Sequence, residues 1–398
     1  GRTPGVRTRL AVGADVTGHE RYERAVAGCP STPLEREVEG ADMLYSSGTT
    51  GRPKGIRVPL AFDPAGTPNP LVALMRGLYG FGADSVYLSP APLYHAAPLR
   101  YCMTLTRLGG TAVIMERFEP AAFLALVGRH RVTHAQVVPT MFVRLLKMPE
   151  RERRSCDVSS LRAVIHAAAP CPVEVKRRMI DWLGPIVHEY YAGTEGNGYV
   201  ACTAQEWLDR PGTVGRALLG VLHVTDERGR ELAPGETGVV WFSDGPDFSY
   251  HGDPVGTAQT HDGRGWSTLG DVGHLDRDGY LYLTDRQAYT IITGGVNVYP
   301  RQVEDLLVVH PAVLDAAVLG IPDEDLGEKV HAVVQPVDPA ADRAALAAEL
   351  MAYCRARLAH VTCPKAVDVV DELPRHPTGK LYKRLLVERY RAAAATAG

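Results

Sequence analysis

Several features that would place a protein in a simple class are missing from this 398-residue chain. It has no run of about 18 apolar residues, so the sequence predicts no membrane-spanning helix. Its formal net charge is −3, which argues against electrostatic binding to nucleic acid or to an anionic membrane as the main role. Its seven cysteines form no Cys-x-x-Cys pair and no Cys/His ligand spacing, which predicts free thiols in a reducing cytoplasm.

Lysine is scarce as well. Only seven of the 43 basic residues are Lys, and the others are Arg. A planar guanidinium does not replace a compact ammonium, so a lysine in this chain is more often a positional requirement than in an average protein. Two of the seven, Lys54 and Lys380, stand in motifs described below.

The length of the chain predicts two or more domains. From about residue 41 to residue 285, short apolar runs alternate with helical stretches, which predicts an α/β fold with a mostly parallel sheet. Within this part, residues from about 212 to 285 read as short β-rich segments separated by Gly/Asp turns, which predicts a small antiparallel barrel or sheet. We therefore expect a large domain over residues 1–285 and an α+β domain over residues 291–398.

The local sequence pattern indicates which loops follow strands and are candidates for ligand binding. Pro120–His130 has the spacing of an amphipathic helix, and Ala41–Tyr45 is predicted as a strand that ends in the loop Ser46–Gly55. In a parallel sheet, ligands lie at the loops beyond the carboxyl ends of the strands. Ser46–Gly55 and Ala192–Gly196 are the most distinctive loops that fit this placement.

The loop Ser46–Gly55 combines glycines, hydroxyl side chains and a lysine. Exposed backbone N–H groups, neutral donors and one point charge together suit a polyphosphate. A flexible surface loop is the alternative, but the density of these residue types favours phosphate binding. The usual P-loop pattern is absent, because no Gly-Lys-Ser/Thr sequence occurs. The predicted phosphate-binding residues are Ser46, Ser47, Gly48, Thr49, Thr50, Gly51 and Lys54.

This loop resembles the signature phosphate loop of the adenylate-forming superfamily, which includes acyl- and aryl-CoA synthetases, nonribosomal peptide adenylation domains and luciferases. Four further motifs resemble those of the family and follow in its order: Tyr191–Glu195, Gly270-Asp271, Asp285-Arg286 with Gly294–Pro300, and Pro374–Lys380. Each motif alone is weak or moderate. Five of them in order over most of the chain are highly specific.

The resemblance implies ATP, Mg²⁺ and coenzyme A as ligands and assigns roles around the nucleotide. It implies that Tyr191 lies against adenine, that Asp271 binds the ribose hydroxyls, and that Arg286 contacts the ribose beside the interdomain hinge. The strand-end loop with Ala168 and Ala169 is expected to cover adenine. A tight βα turn is the alternative for that loop, and the two readings are compatible.

The catalytic roles follow from the same resemblance. Thr194 and Glu195 belong to the motif whose Glu holds Mg²⁺, His95 lies near the acyl carboxylate, and Lys380 contacts the carboxylate and the phosphate. Attack of a carboxylate on the α-phosphate brings two anions together, so a metal ion and a mobile cation are needed. Glu195 is a hard oxygen ligand of the kind that Mg²⁺ prefers. Taken singly, His95 reads nearly as well as a buried structural histidine.

The resemblance also implies a moving C-terminal domain. Residues 286–290 match the hinge, and Gly294 and Gly295 match the loop that faces the thiol acceptor. The chain departs from the family pattern at Ala288 and Tyr289, where polar or charged residues are common. It departs again at Leu269, where Thr usually precedes Gly-Asp. The predicted rotation and the role of Asp271 do not depend on those side chains.

The acyl-CoA synthetase branch is favoured. Tyr94–Pro98 contains no Asp, which amino-acid-activating members use to bind the α-ammonium, and Gly294-Gly295 is typical of CoA ligases. Apart from Arg100, the candidate pocket residues His166, Val200 and Leu99–Met103 are apolar or neutral, so fatty, aromatic and steroid-like acids stay open. A ligase that delivers the acyl group to a carrier protein is an alternative. A nucleotide-binding remnant is another, because only 44 residues precede Tyr45 and the usual N-terminal segment is expected to be missing. A homo-oligomer also stays open.

Overall fold

The computed structural model describes residues 5–47, 53–286, 289–375 and 381–397, with the backbone alone at Ser47, Arg286 and 391–397. Several residues singled out above therefore lie outside the described residues, namely Gly48, Thr49, Thr50, Gly51, Ala288 and Lys380.

The chain divides into two compact units, residues 1–41 with 60–67, and residues 42–59 with 68–398. The first unit holds a parallel pair of short strands, β1 (Leu10–Ala11) and β2 (Glu20–Arg21), followed by helix α1 (Tyr22–Val26). Its two segments are joined by a bridge between Val38 and Pro64.

The second unit holds the remaining elements. In chain order these are β3 (Tyr45–Ser47), β4 (Pro53–Arg57), α2 (Pro70–Tyr79), β5 (Val86–Ser89), α3 (Ala96–Arg107), β6 (Thr111–Ile114), α4 (Pro120–His130), β7 (His134–Val137), α5 (Pro139–Leu146), α6 (Glu150–Ser155), β8 (Ala163–His166), α7 (Val173–Leu183), β9 (Val187–Tyr191), β10 (Tyr199–Cys202), α8 (Ala204–Asp209), β11 (Arg216–Leu219), β12 (Val221–Thr225), β13 (Gly238–Ser243), β14 (Ser249–Tyr250), α9 (Pro254–Ala258), β15 (Ser267–Leu275), β16 (Leu281–Arg286), β17 (Ile291–Thr293), β18 (Val296–Val298), α10 (Pro300–Val308), β19 (Val313–Asp323), β20 (Gly327–Pro336), α11 (Arg343–Arg355), β21 (Ala366–Val369) and α12 (Lys383–Ala397).

A seven-stranded sheet in the order β11-β10-β9-β8-β7-β5-β6 forms the centre of this unit. The strands from β6 to β9 are parallel, and β10 and β11 complete the sheet in antiparallel pairs. Alternate residues of β8 enter different apolar clusters: Val164 packs with α4, α5 and α7, while Ile165 packs with α2 and α3. Both faces of the sheet are therefore covered, as a parallel sheet requires.

Three smaller sheets complete the fold. Strands β12, β13, β15 and β16 form an antiparallel sheet, and β3, β4 and β14 form another. After β16 comes a five-stranded sheet of β17 to β21, with α10 and α11 on one apolar cluster and α12 on the other. This α/β architecture confirms the predicted fold class. The limits of the predicted domains, including a hinge at 286–290, stay predictions. Among the described residues, no helix is long and apolar enough to cross a membrane.

Helix α4 is an element whose bounds could be predicted from the local sequence pattern. Its bounds equal the predicted Pro120–His130, and its first residue is a proline, which is favoured at that position of a helix. The Glu119 side chain accepts hydrogen bonds from the backbone N–H groups of Ala121 and Ala122 at the start. At the end, Arg131 adopts a left-handed conformation with φ 48°.

Candidate functional site

The segment predicted as a phosphate loop begins and ends in strands. Ser46 pairs with Lys54 across β3 and β4, and β14 adds a third strand through Tyr250 and Ile56. The predicted strand Ala41–Tyr45 was therefore wrong in its bounds, because β3 starts at Tyr45 and includes Ser46 and Ser47. The reason is pairing: serine is not among the residues enriched in strands, and Ser46 and Ser47 extend β3 because they pair with Lys54 and Pro53 of β4.

Tyr250 connects Lys54 with Glu195. The Lys54 Nζ atom lies 4.3 Å from the centre of the Tyr250 ring, within the range of a cation–π contact. The Tyr250 hydroxyl donates a hydrogen bond of 2.9 Å to Glu195 Oε1. The lysine of the phosphate hairpin and the carboxylate expected to hold Mg²⁺ are therefore joined through one side chain.

The loop with Thr194 and Glu195 is held from its backbone. Arg100 Nη2 donates to the carbonyl oxygen of Thr194 at 3.2 Å, and the same guanidinium pairs with Asp42 at 3.0 Å. Gly193 makes room for the Glu195 side chain, since a Cβ there would lie 2.8 Å from Glu195 Oε2. A larger residue at 193 would displace the carboxylate.

The next contact along the site joins Tyr191 to Asp271. The Tyr191 hydroxyl donates a hydrogen bond of 2.7 Å to Asp271 Oδ2, and Asp271 is 8% exposed. The Leu269 side chain approaches Gly193, where a Cβ would meet it at 2.8 Å. Gly270 has φ +77°, a conformation that favours glycine, and it turns the chain between these residues. The carboxylate expected to bind the ribose is thus fixed beside the loop of Glu195.

The loop after β8 places Ala168 in the left-handed region with φ 73°. Ala168 is exposed and Ala169 is half-buried. A non-glycine residue in this conformation costs about 1–2 kcal/mol. The surrounding loop must therefore hold the residue in place, and its exposed side is available to a ligand.

A buried group of polar side chains lies behind this loop. Lys176 Nζ is 2.6 Å from Glu189 Oε2, and His166 Nε2 is 3.5 Å from the same oxygen. Burial, together with the Lys176 charge, lowers the pKa of His166 well below its usual value. The imidazole is therefore neutral at pH 7, and its approach to Glu189 is not an ion pair. His166, an expected lining residue of the acyl pocket, is fully buried.

His95 occupies the N-cap position of α3. It is half-buried, and its ring centre lies 4.5 Å from that of Tyr94. The helix that it begins carries Arg100, so one element presents both the histidine and the guanidinium that holds Thr194.

The strand that ends in Arg286 is attached to the first turn of α10. The backbone N–H of Arg301 donates to Asp285 Oδ2 at 3.1 Å, and its guanidinium donates to the carbonyl oxygen of Leu283. Gly294 and Gly295 form the turn between β17 and β18 with φ 56° and 78°. The Gly294 N–H donates to the carbonyl oxygen of Leu326, so this turn is held within the C-terminal sheet.

The structure thus brings together four of the expected residues, Lys54, Glu195, Tyr191 and Asp271. Tyr250 and Arg100 complete this arrangement and were not predicted as site residues. No local signal marks Tyr250, because its place beside Glu195 depends on the pairing of β14 with β4. Arg100 falls in the segment Leu99–Met103, which was expected to line the pocket. The carboxylates of Glu195 and Asp271 can bind a cation and a sugar, and the Lys54 ammonium can bind a phosphate.

Comparison with known proteins decides the family. The profile of the AMP-binding enzyme matches residues 11–247, and that of the AMP-binding enzyme C-terminal domain matches residues 302–380. The chain belongs to the AMP-binding enzyme family. This membership confirms the identification with the adenylate-forming superfamily and with its acyl-CoA synthetase branch.

Individual relatives differ in their substrates. A feruloyl-CoA synthase from Amycolatopsis is 34% identical over 87% of this chain and 69% of its own length. A medium/long-chain-fatty-acid–CoA ligase, FadD8 of Mycobacterium tuberculosis, is 33% identical over 89% of this chain and 62% of its own length. The crystal structure of ATP-bound MatB from Rhodopseudomonas palustris has a TM-score of 0.76 and 32% identity, and the match covers 89% of this chain and 70% of MatB.

Proposed function

We propose that this AMP-binding enzyme activates a carboxylic acid with ATP to an acyl-adenylate and then transfers the acyl group to coenzyme A. The supporting observation is a continuous set of contacts. It runs from Asp271 and Tyr191, past Gly193, to Glu195, Tyr250 and Lys54. It has the order expected for ribose, metal and phosphate of one bound nucleotide.

In the first half-reaction, an oxygen of the substrate carboxylate attacks the α-phosphorus of ATP. The bond from that phosphorus to the bridging oxygen breaks, and pyrophosphate leaves. Lys54 and Lys380 are proposed to offset the negative charge, and Asp271 to hold the ribose. Arg100 keeps Thr194 and Glu195 in place through the Thr194 carbonyl.

The residues present fit Mg²⁺ at Glu195. The carboxylate offers hard oxygens, and the absence of a side chain at Gly193 lets Oε2 lie against the backbone there. When bound, Mg²⁺ neutralises phosphate charge and favours the departure of pyrophosphate. The contribution of this chain is to orient the carboxylate, which Tyr250 does through its hydroxyl.

In the second half-reaction, the coenzyme A thiolate attacks the acyl carbon and AMP leaves. We assign Gly294 and Gly295 to the acceptor side because their turn leaves little side-chain bulk. This step requires the predicted movement about residues 286–290. The reducing cytoplasmic location and the oligomeric state remain predictions from the sequence.

The test is incubation with ATP, Mg²⁺, coenzyme A and a panel of fatty, aromatic and steroid acids. We expect AMP and one acyl-CoA series, identified by mass spectrometry. Reactions without coenzyme A should retain pyrophosphate exchange, because the first half-reaction does not need the thiol. Exchange without any CoA-dependent product would favour transfer to a carrier protein. ATP binding without exchange for any acid would contradict adenylation.

A further inference from the structure

Tyr250 is buried within the three-stranded sheet that carries the phosphate segment. It is 8% exposed and packs with Ile56 and Phe248. Its backbone N–H donates to Thr257 Oγ1 at 2.9 Å, and β14 pairs with β4. The backbone and the ring are therefore held independently of the hydroxyl.

The hydroxyl and the ring serve different neighbours. The hydroxyl donates to Glu195 Oε1 at 2.9 Å, while the ring face receives the Lys54 ammonium at 4.3 Å. A hydrogen bond to a carboxylate restricts the rotation of that carboxylate and is stronger than a neutral one. The ring attracts the ammonium through its quadrupole and leaves the N–H donors of Lys54 for other acceptors.

Packing alone does not require this arrangement. A phenylalanine would fill the same space beside Ile56 and Phe248, so the apolar cluster has no need of the hydroxyl. Oε1 of Glu195 accepts from Tyr250, whereas Oε2 faces Gly193. The two carboxylate oxygens thus have separate surroundings: one accepts a hydrogen bond from Tyr250, and the other lies against the backbone of Gly193.

We propose that Tyr250 is a positioning residue that fixes Glu195 for Mg²⁺ through its hydroxyl and holds Lys54 for the phosphates through its ring. The inference rests on the proposed function and extends it to a residue outside the recognised motifs. It predicts that the two parts of the side chain affect ATP binding differently: the hydroxyl acts only when Mg²⁺ is present, and the ring acts with or without it.

The variants Tyr250→Phe and Tyr250→Leu separate these parts. Calorimetric titration of ATP is performed once with excess Mg²⁺ and once with EDTA. For Tyr250→Phe we expect about a tenfold weaker affinity with Mg²⁺, the size of a lost hydrogen bond to a charged group, and less than about a twofold change with EDTA. For Tyr250→Leu we expect weaker binding under both conditions.

Tyr280→Phe is the matched control. The Tyr280 hydroxyl also donates to a carboxylate, Glu206 Oε1 at 3.1 Å, and its ring also carries a cation, Arg210 at 4.3 Å. These contacts lie among the β-rich segments and α8, apart from Glu195. The control should bind ATP as the unaltered protein does in both titrations. Circular dichroism melting of each variant identifies any loss of folding.

Equal affinities of Tyr250→Phe and the unaltered protein in Mg²⁺ would overturn the inference. An equal loss with and without Mg²⁺ would also overturn it, because the hydroxyl would then not act through the metal carboxylate. If Tyr250→Leu does not fold, Tyr250→Phe alone decides the question. Failure of the unaltered protein to bind ATP would instead contradict the proposed function, so the two failures are distinct.

Discussion

Lys176 and Glu189 form an ion pair of 2.6 Å in which the side chains are 0% and 6% exposed. Lys176 Nζ also lies 4.9 Å from the centre of the Trp207 ring. The pair connects α7 with β9, the strand that leads into Tyr191. The attachment of α7 to β9, the strand that ends at Tyr191, therefore depends on two buried charges.

Removal of one charge from this pair should be costly. We expect Lys176→Met to lower the free energy of unfolding by about 3–5 kcal/mol, because Glu189 is then left buried without its partner. The double variant Lys176→Met/Glu189→Gln should lose less than the sum of the two single variants. Urea unfolding followed by circular dichroism measures both.

The surface pair Arg162–Asp84 is the control, because its distance is also 2.6 Å but its side chains are 55% and 66% exposed. Arg162→Gln should cost less than about 1 kcal/mol. Similar losses at the two sites would contradict a special role for the buried pair.

Asp271 should matter for nucleotide affinity more than for folding. For Asp271→Asn we expect AMP to bind at least about tenfold more weakly, since hydrogen bonds to a charged acceptor are lost. Tyr191→Phe should weaken binding less, because the tyrosine acts on the carboxylate and not on the ribose. Calorimetric titration with AMP makes the comparison, with Asp278→Asn as a surface control. An unchanged AMP affinity in Asp271→Asn would rule out the ribose contact.

Lys147 should make the folding stability of the protein depend on pH. Its Nζ donates to the backbone carbonyl oxygens of His310 and Val313, and so joins the end of α5 to the start of β19. Burial, with Arg178 nearby, lowers its pKa to about 8, while Asp315 acts in the opposite direction. The unfolded chain keeps the ordinary pKa of about 10.4.

These two pKa values fix the direction in which folding stability changes with pH. Between pH 8 and about 10.4 the unfolded state binds more protons than the folded state, so stability rises with pH in this window. Relative to Lys147→Met, the unaltered protein should become more stable from pH 8 to pH 10, as measured by urea unfolding. Lys365→Met, at an exposed residue, should run parallel to the unaltered protein. Parallel curves for Lys147→Met would contradict the prediction.

Replacement of Lys380 should impair adenylation and spare thioester formation. The residue lies outside the described structure, and the prediction rests on its match to the final family motif. For Lys380→Ala we expect at least about a hundredfold loss of adenylation, comparable to the removal of one preorganised donor. Thioester formation from supplied acyl-adenylate should largely survive. Stopped assays of each half-reaction, with Lys365→Ala as control, measure this, and equal losses would contradict the division.

The sequence predicted those elements whose signals are local. Helix α4 has the bounds that its apolar spacing predicted, and the α/β class follows from the alternation of strands and helices. The bounds of β3 were misjudged because Ser46 and Ser47 become strand residues only through pairing with Lys54 and Pro53 of β4. Tyr250 was missed for the same reason, since proximity to Glu195 arises only in the folded sheet.

Lys176 illustrates a second limit. A lysine on a helix reads as a solvent-exposed residue, yet here it is fully buried because Glu189 lies opposite on β9. Such pairs depend on the register between α7 and the sheet, which local periodicity does not specify. The family motifs predicted which residues bind the nucleotide, while the acid was left open because the residues expected to line its pocket do not select one kind of acid.

The backbone conformation of Ala168 affects the entropy that its loop loses when a ligand binds. Alanine has fewer backbone states than glycine, so a loop that holds it at φ 73° is already restricted before any ligand arrives. The entropy of ordering this loop is then lost when the chain folds and not in each cycle of binding and release. A ligand that binds this loop, as we propose for the adenine of a nucleotide, then meets a backbone that needs no further ordering.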